Sequence, residues 1–177
     1  MKVIGFGAAL VDKQFLIKDD ALNDLGIEKG LMTLNSEEEQ NELLTFLKGE
    51  NYDQISSCGG SATNSIYAAA ALGTSSGFIG KVAQDEDGEI YNSDLKNNNV
   101  EISNCITSSI GKTGNCIVLI TPDAERTMNT FLGVSSETKF SEINFEKLSL
   151  ADLLFMEAYV VTSSDTKDTA EKLIKSC

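Results

Sequence analysis

The chain has 177 residues, 41% of them hydrophobic, which is enough to bury one core, and it has no apolar run near the roughly 18 residues that span a bilayer. Its 27 acidic and 14 basic residues leave a net charge of −13, which repels a nucleic-acid backbone and keeps a protein in solution. There is no histidine, and Cys58, Cys105, Cys116 and Cys177 lack CxxC spacing, so histidine general bases, Ser-His-Asp or Cys-His catalysis and an ordinary zinc site are excluded.

Along the chain, Lys2 to Gly7 predicts a buried first strand rather than a signal peptide, because glycines and Asp12 interrupt the apolar stretch; the cytoplasm is the expected compartment. Lys13 to Lys18 predicts a short exposed strand. Ser36-Glu37-Glu38-Glu39 is a capping box opening a helix whose stripe is Leu43, Leu44 and Leu47. Ser61 opens a second helix, closed by Gly73, with an alanine-rich face expected to pack closely on a sheet. Gly77 to Val82 predicts a strand and Gly88 to Asn97 a helix.

Strands are then expected at Glu101 to Thr107, Asn115 to Thr121 and, after the turn Thr121-Pro122-Asp123-Ala124, at Arg126 to Leu132. Asp152 to Val160 has the composition of a buried strand, and a last helix aligns Ala170, Leu173, Ile174 and Cys177. The alternation predicts an α/β domain with a mostly parallel sheet. Segments 13–35 and 111–133 break it with strand-like pieces lacking helices between them, which suits a small second sheet.

Four stretches carry candidate chemistry. Gly5-Phe6-Gly7-Ala8-Ala9-Leu10 follows the first strand as a dinucleotide motif does, but Leu10 stands where its third glycine belongs. Asp12, at the carboxyl end of a sheet strand, suits hydrogen bonding to sugar hydroxyls. Gly59 and Gly60 let a ligand approach a helix start, and Asn64, one turn further in, both donates and accepts. Gly80-Lys81-Val82-Ala83-Gln84-Asp85-Glu86-Asp87-Gly88 reads as an acidic loop. Arg126, just after a hairpin turn, is placed to meet an anion. Taken singly, each is equally an ordinary turn, loop or surface residue.

In this order and spacing, from Lys2 to about Ser164, the four resemble the ribokinase-type (PfkB) carbohydrate kinases, adenosine-kinase-like members above all. The Gly59-Gly60 helix entry with Asn64 resembles the family's first signature. GKVAQDEDG is similar to the adenosine-kinase-like form GKVGDDEFG, departing from it at Ala83, Gln84 and Asp87. TGNCIVLITPDAERTMNTFLG and LLFMEAYVV resemble later stretches of bacterial members.

The resemblance implies a Rossmann-like three-layer α/β domain, with residues 13–35 and 111–133 forming a β-sheet lid over a sugar or nucleoside. It implies transfer of the γ-phosphate of ATP, with Mg²⁺, to a hydroxymethyl group. Asp12, Gly59, Gly60 and Asn64 would hold the sugar, Met128 and Leu132 would face it from the lid, and Arg126 would lie by the transferred phosphoryl group. Pairing of lid strands into a homodimer is a further implication. The family's Gly-Ala-Gly-Asp turn, source of its general base and anion hole, has no counterpart in these residues. The chain is therefore expected to be the N-terminal part of such a kinase, inactive alone, with an open sheet edge that invites self-association. A non-catalytic sugar- or nucleoside-binding module is the alternative, and a dinucleotide-dependent oxidoreductase a third reading.

Overall fold

A computed structural model describes residues 1–176. Its elements run β1 (Lys2–Phe6), β2 (Leu10–Leu16), α1 (Asp19–Asp24), β3 (Met32–Leu34), α2 (Glu37–Gly49), β4 (Gln54–Gly59), α3 (Ser61–Ala71) and β5 (Ser75–Ala83). They continue with α4 (Glu86–Asn97), β6 (Val100–Ser108), β7 (Thr113–Ile120), β8 (Arg126–Gly133), α5 (Phe145–Leu148), β9 (Leu153–Met156) and α6 (Ser164–Ser176).

The first sheet has the order β6-β5-β1-β9, and every pairing in it is parallel. Parallel strands need helical crossovers, and these cover both faces. On one side Val3, Phe78 and Val82 pack with Ala62 and Ile66 of α3 and Tyr91 and Leu95 of α4. On the other, Ile4, Phe6 and Ile79 pack with Leu148 of α5 and Ala170 and Leu173 of α6. The result is a three-layer α/β/α unit. Gly5 lies where a side chain has no room, since a Cβ there would come 2.5 Å from Ile66 Cγ1.

The second sheet has the order β3-β8-β7-β2-β4. It joins the two distant segments: β2 runs parallel to β7 and β3 parallel to β8, with β7 and β8 an antiparallel hairpin. One face is covered by α1 and α2, where Phe15, Ile117 and Leu119 meet Leu22, Leu43 and Leu47. Ser36 and Glu39 close the capping box at the start of α2. Among the described residues, no helix is long and apolar enough to cross a membrane.

The two sheets are fastened by the acidic loop before α4. Asp85 caps α4 by accepting from Gly88 N–H at 2.9 Å, and it also accepts from the N–H and hydroxyl of Thr113, the first residue of β7, at 2.9 and 2.5 Å. Burial pushes the Asp85 carboxyl up, but these Thr113 and Gly88 donors outweigh it and hold the group below the usual carboxylate range. Beside it, Lys13 of β2 pairs with Asp87 of α4 at 2.7 Å, both side chains being largely buried.

Several expectations are corrected. β2 is not an exposed strand, because it lies between β7 and β4 with Phe15 buried. Residues 13–35 also contain helix α1, and β4 is a strand that the sequence pattern did not suggest: its Gln54, Ile55 and Ser56 are exposed, so no alternation marks it. The Asp152 to Val160 run yields only the four residues of β9, with Leu153 and Phe155 exposed, because β9 pairs with β1 alone. Of the alanines of α3 only Ala62 is buried; Ala70 packs at the edge of the core, Ala68 and Ala71 are exposed, and Thr63 and Ile66 supply the rest of the buried face. In α6 the buried face is Thr166, Thr169, Ala170 and Leu173, while Ile174 points outward, and Cys177 lies outside the described residues.

Lys2 and Glu101 join β1 to β6 across β5 at 2.7 Å. The Lys2 ammonium and the Ser103 hydroxyl together bring the Glu101 carboxyl down to about 2. A depressed carboxyl stabilises the fold fully above its ordinary value near 4.5 and loses that contribution as pH falls toward 2. Glu101→Gln is expected to lower the thermal midpoint by about 2–4 °C at pH 7, equivalent to about 1 kcal/mol after solvent screening. Melts from pH 7 to pH 2 should show this difference vanishing at the acid end.

Candidate functional site

The chain leaves the first sheet at Phe6, turns through Gly7 to Ala9 and enters the second sheet as β2. No helix follows the glycines, so the dinucleotide arrangement is absent at this turn. Strand alternation then sends Leu10 and Asp12 to the face opposite α2. On that face Asp12 stands beside Cys116 of β7, Cys116 beside Thr130 of β8, and Thr130 beside Leu34 of β3. This face, the start of α3 and the turn after β9 enclose a cleft of about 280 Å³.

Six of the seven residues expected from sequence meet there: Asp12, Gly60, Asn64, Arg126, Met128 and Leu132. The seventh, Gly59, does not line the cleft. A Cβ on Gly59 would overlap the Asp12 carboxylate, so its bareness makes room for that side chain. Gly60 is the N-cap of α3 at φ +95, and a Cβ on it would come 2.7 Å from the Ala8 carbonyl oxygen. Gly60 is therefore sterically required by its backbone, while Gly59 leaves the Asp12 carboxylate its place.

Asp12, Cys116 and Arg126 lie near one another in the cleft. Burial pushes the Asp12 carboxyl up, and the nearby Arg126 guanidinium partly offsets this. Burial also pushes the Cys116 thiol up to about 11, despite a hydrogen bond from Thr130. Among the described residues Arg126 forms no ion pair, so its charge is available to a ligand. Acceptor (Asp12), mixed donor and acceptor (Asn64) and cation (Arg126) thus share a cleft with apolar Leu10, Met128 and Leu132. That chemistry suits a polyhydroxylated molecule carrying or meeting an anion.

Among the lining residues that sequence reasoning missed are Glu157 and Tyr159. Glu157 is only 5% exposed; it accepts from Ala8 N–H at 2.6 Å and from Ser61 Oγ and Ala62 N–H at 2.8 Å each. The available signal was a carboxylate inside the apolar run LLFMEAYVV, since a buried charge needs partners. A larger depression, about 510 Å³, lies against α2 and includes Lys13, Asp85 and Asp87. Those charges are already spent joining the two sheets, so the smaller cleft is the better ligand site.

Residues 37–177 match the family model described as pfkB family carbohydrate kinase. Over 88 residues the chain is 32% identical to fructokinase-2 of Zea mays, an alignment covering 50% of this chain and 26% of that protein. The structure superposes on an adenosine kinase from Sinorhizobium meliloti with a TM-score of 0.85 at 28% identity, covering 98% of this chain and 52% of that one. A probable sugar kinase from Rhizobium etli gives a TM-score of 0.87 at 27% identity, with the same coverage of 98% and 52%. The chain thus has the ribokinase-type fold of these kinases and spans about half their length.

Gly60→Ala is expected to cost about 1–2 kcal/mol from the left-handed backbone alone. It should also displace Ala8, which a denaturant melt together with amide chemical shifts of residues 8 and 60–64 would register.

Proposed function

The chain belongs to the pfkB family of carbohydrate kinases, and from that premise we propose that it forms the substrate-binding part of an ATP-dependent phosphotransferase. The phosphoryl acceptor is a hydroxymethyl group of a sugar or nucleoside, of adenosine- or ribose-like shape. What supports this reading is the single cleft that Asp12, Asn64 and Arg126 share, although they come from β2, α3 and β8.

In this scheme Asp12 accepts hydrogen bonds from vicinal hydroxyls, and Asn64 donates to one and accepts from the other. Gly60 gives the sugar close access to backbone, and Gly59 leaves the Asp12 carboxylate its space. Met128 and Leu132 supply an apolar wall, and the second sheet acts as a lid that excludes water. Arg126 stabilises charge on the phosphoryl group in transit. ATP, with Mg²⁺ on its phosphates, would supply the phosphoryl group. A cytoplasmic location and a homodimer paired through lid strands complete the proposal.

The Gly-Ala-Gly-Asp turn that carries the family's general base does not occur in this sequence. We therefore expect the 177-residue chain, taken alone, to bind ligand without turning over ATP. That same observation favours a second reading, a non-catalytic sugar- or nucleoside-binding module.

Calorimetry with adenosine, ribose and fructose should detect binding of at least one, and Asp12→Ala should weaken it roughly tenfold or more. Absence of binding by all three sinks the proposal. The DNA beyond the Cys177 codon separates the two readings, because a Gly-Ala-Gly-Asp turn encoded there identifies a kinase. In a chain extended through that turn, Arg126→Ala should lower kcat by about 10²–10³ while leaving ligand affinity nearly intact.

A further inference from the structure

Helix α3 starts without a side-chain cap of its own. Its N-cap is Gly60, and the left-handed φ together with the nearby Ala8 carbonyl leaves no room there for Ser, Thr, Asp or Asn. A helix start left in this way has free N–H groups that need acceptors.

Glu157 supplies them from the far end of β9. One carboxylate oxygen accepts from Ala62 N–H and Ser61 Oγ, each at 2.8 Å, and the other accepts from Ala8 N–H at 2.6 Å. Glu157 is itself anchored, since its own N–H donates to the Phe6 carbonyl at 3.3 Å. Gly7 clears the way for it, as a Cβ there would come 2.6 Å from Glu157 Cδ. One buried carboxylate thus ties the turn between β1 and β2 to the start of α3. The first segment leads to Asp12 and the second carries Gly60 and Asn64.

We propose that Glu157 is a positioning residue for ligand recognition: it caps α3 in place of Gly60 and sets the separation of Asp12 from Asn64. The role rests on the reading that this cleft binds a sugar or nucleoside. Charge-assisted hydrogen bonds are about twice as strong as neutral ones, and three of them converge on this one group. Glutamine keeps the volume but turns an NH₂ toward one of the two donor sets, so one arm of the tie is lost. Aspartate keeps the charge but is one methylene too short to reach both arms.

The test compares the wild-type chain with Glu157→Gln and Glu157→Asp, using adenosine, ribose and fructose as calorimetric probes and hydrogen exchange at the Ala8 and Ala62 amides. The expected result is that Glu157→Gln stays folded by circular dichroism and binds the preferred probe roughly tenfold more weakly. Its Ala8 or Ala62 amide should exchange at least tenfold faster, with Glu157→Asp intermediate in both readouts. If glutamine prevents folding, the aspartate variant decides by the same two measurements. A role confined to stability would lower the melting temperature and leave the affinity of the folded protein unchanged, and that outcome overturns the proposal. So does unchanged exchange at both amides. A wild-type chain that binds none of the three probes overturns the functional reading itself, and the recognition role of Glu157 with it.

Discussion

Two acidic side chains at the start of α4, Asp85 at its N-cap and Asp87 in its first turn, hold the second sheet against the first. Asp85 reaches Thr113 at the base of β7 while capping α4, and Asp87 reaches Lys13 on β2. The Lys13–Asp87 pair is largely withdrawn from water, where breaking one partner of a pair costs far more than an exposed ion pair returns. The geometry is tight around them: a side chain on Gly88 would overlap the Ala83 carbonyl oxygen, and Thr113 Oγ also accepts from Ala83 N–H at 2.8 Å. The end of β5, the start of α4 and the start of β7 are therefore one rigid corner. From that corner the face bearing Asp12 and Arg126 is aimed at the start of α3.

The same stretch shows what spacing along a chain conveys. GKVAQDEDG looks like a solvated connection when read as composition, because its acids are counted and not their partners. Asn64 and Arg126 sit at points that local rules define, one turn into a helix and just past a hairpin turn, whereas Asp12, expected at the carboxyl end of a strand, is the third residue of β2. Strand alternation does the rest, bringing Leu10, Asp12, Cys116 and Thr130 to one face. Ser36 and Glu39 were legible for a similar reason, since a capping box is wholly local.

What escaped the sequence is what depends on distant partners. β4 is an edge strand paired only with β2, so water meets most of its side chains and no apolar period marks it. The LLFMEAYVV run is apolar enough for a buried strand, yet β9 is short and half-exposed because only β1 pairs with it. Glu157 went unnoticed within that run because its three partners lie at Ala8, Ser61 and Ala62. Ile174 kept the helical spacing of a core residue, but α6 turns Thr166 and Thr169 inward instead, where their hydroxyls bond to the carbonyls of Val160 and Thr138.

The lining of the cleft begins at Ala8 and ends at Tyr159, and Glu157 stands almost last among its residues. On the ribosome, then, the carboxylate that fastens the two backbone segments emerges only after Asp12, Asn64 and Arg126 have done so. The set of residues that lines the cleft is complete only once Tyr159 has followed them, and α6, whose Ala170 and Leu173 cover one face of the first sheet, comes later still.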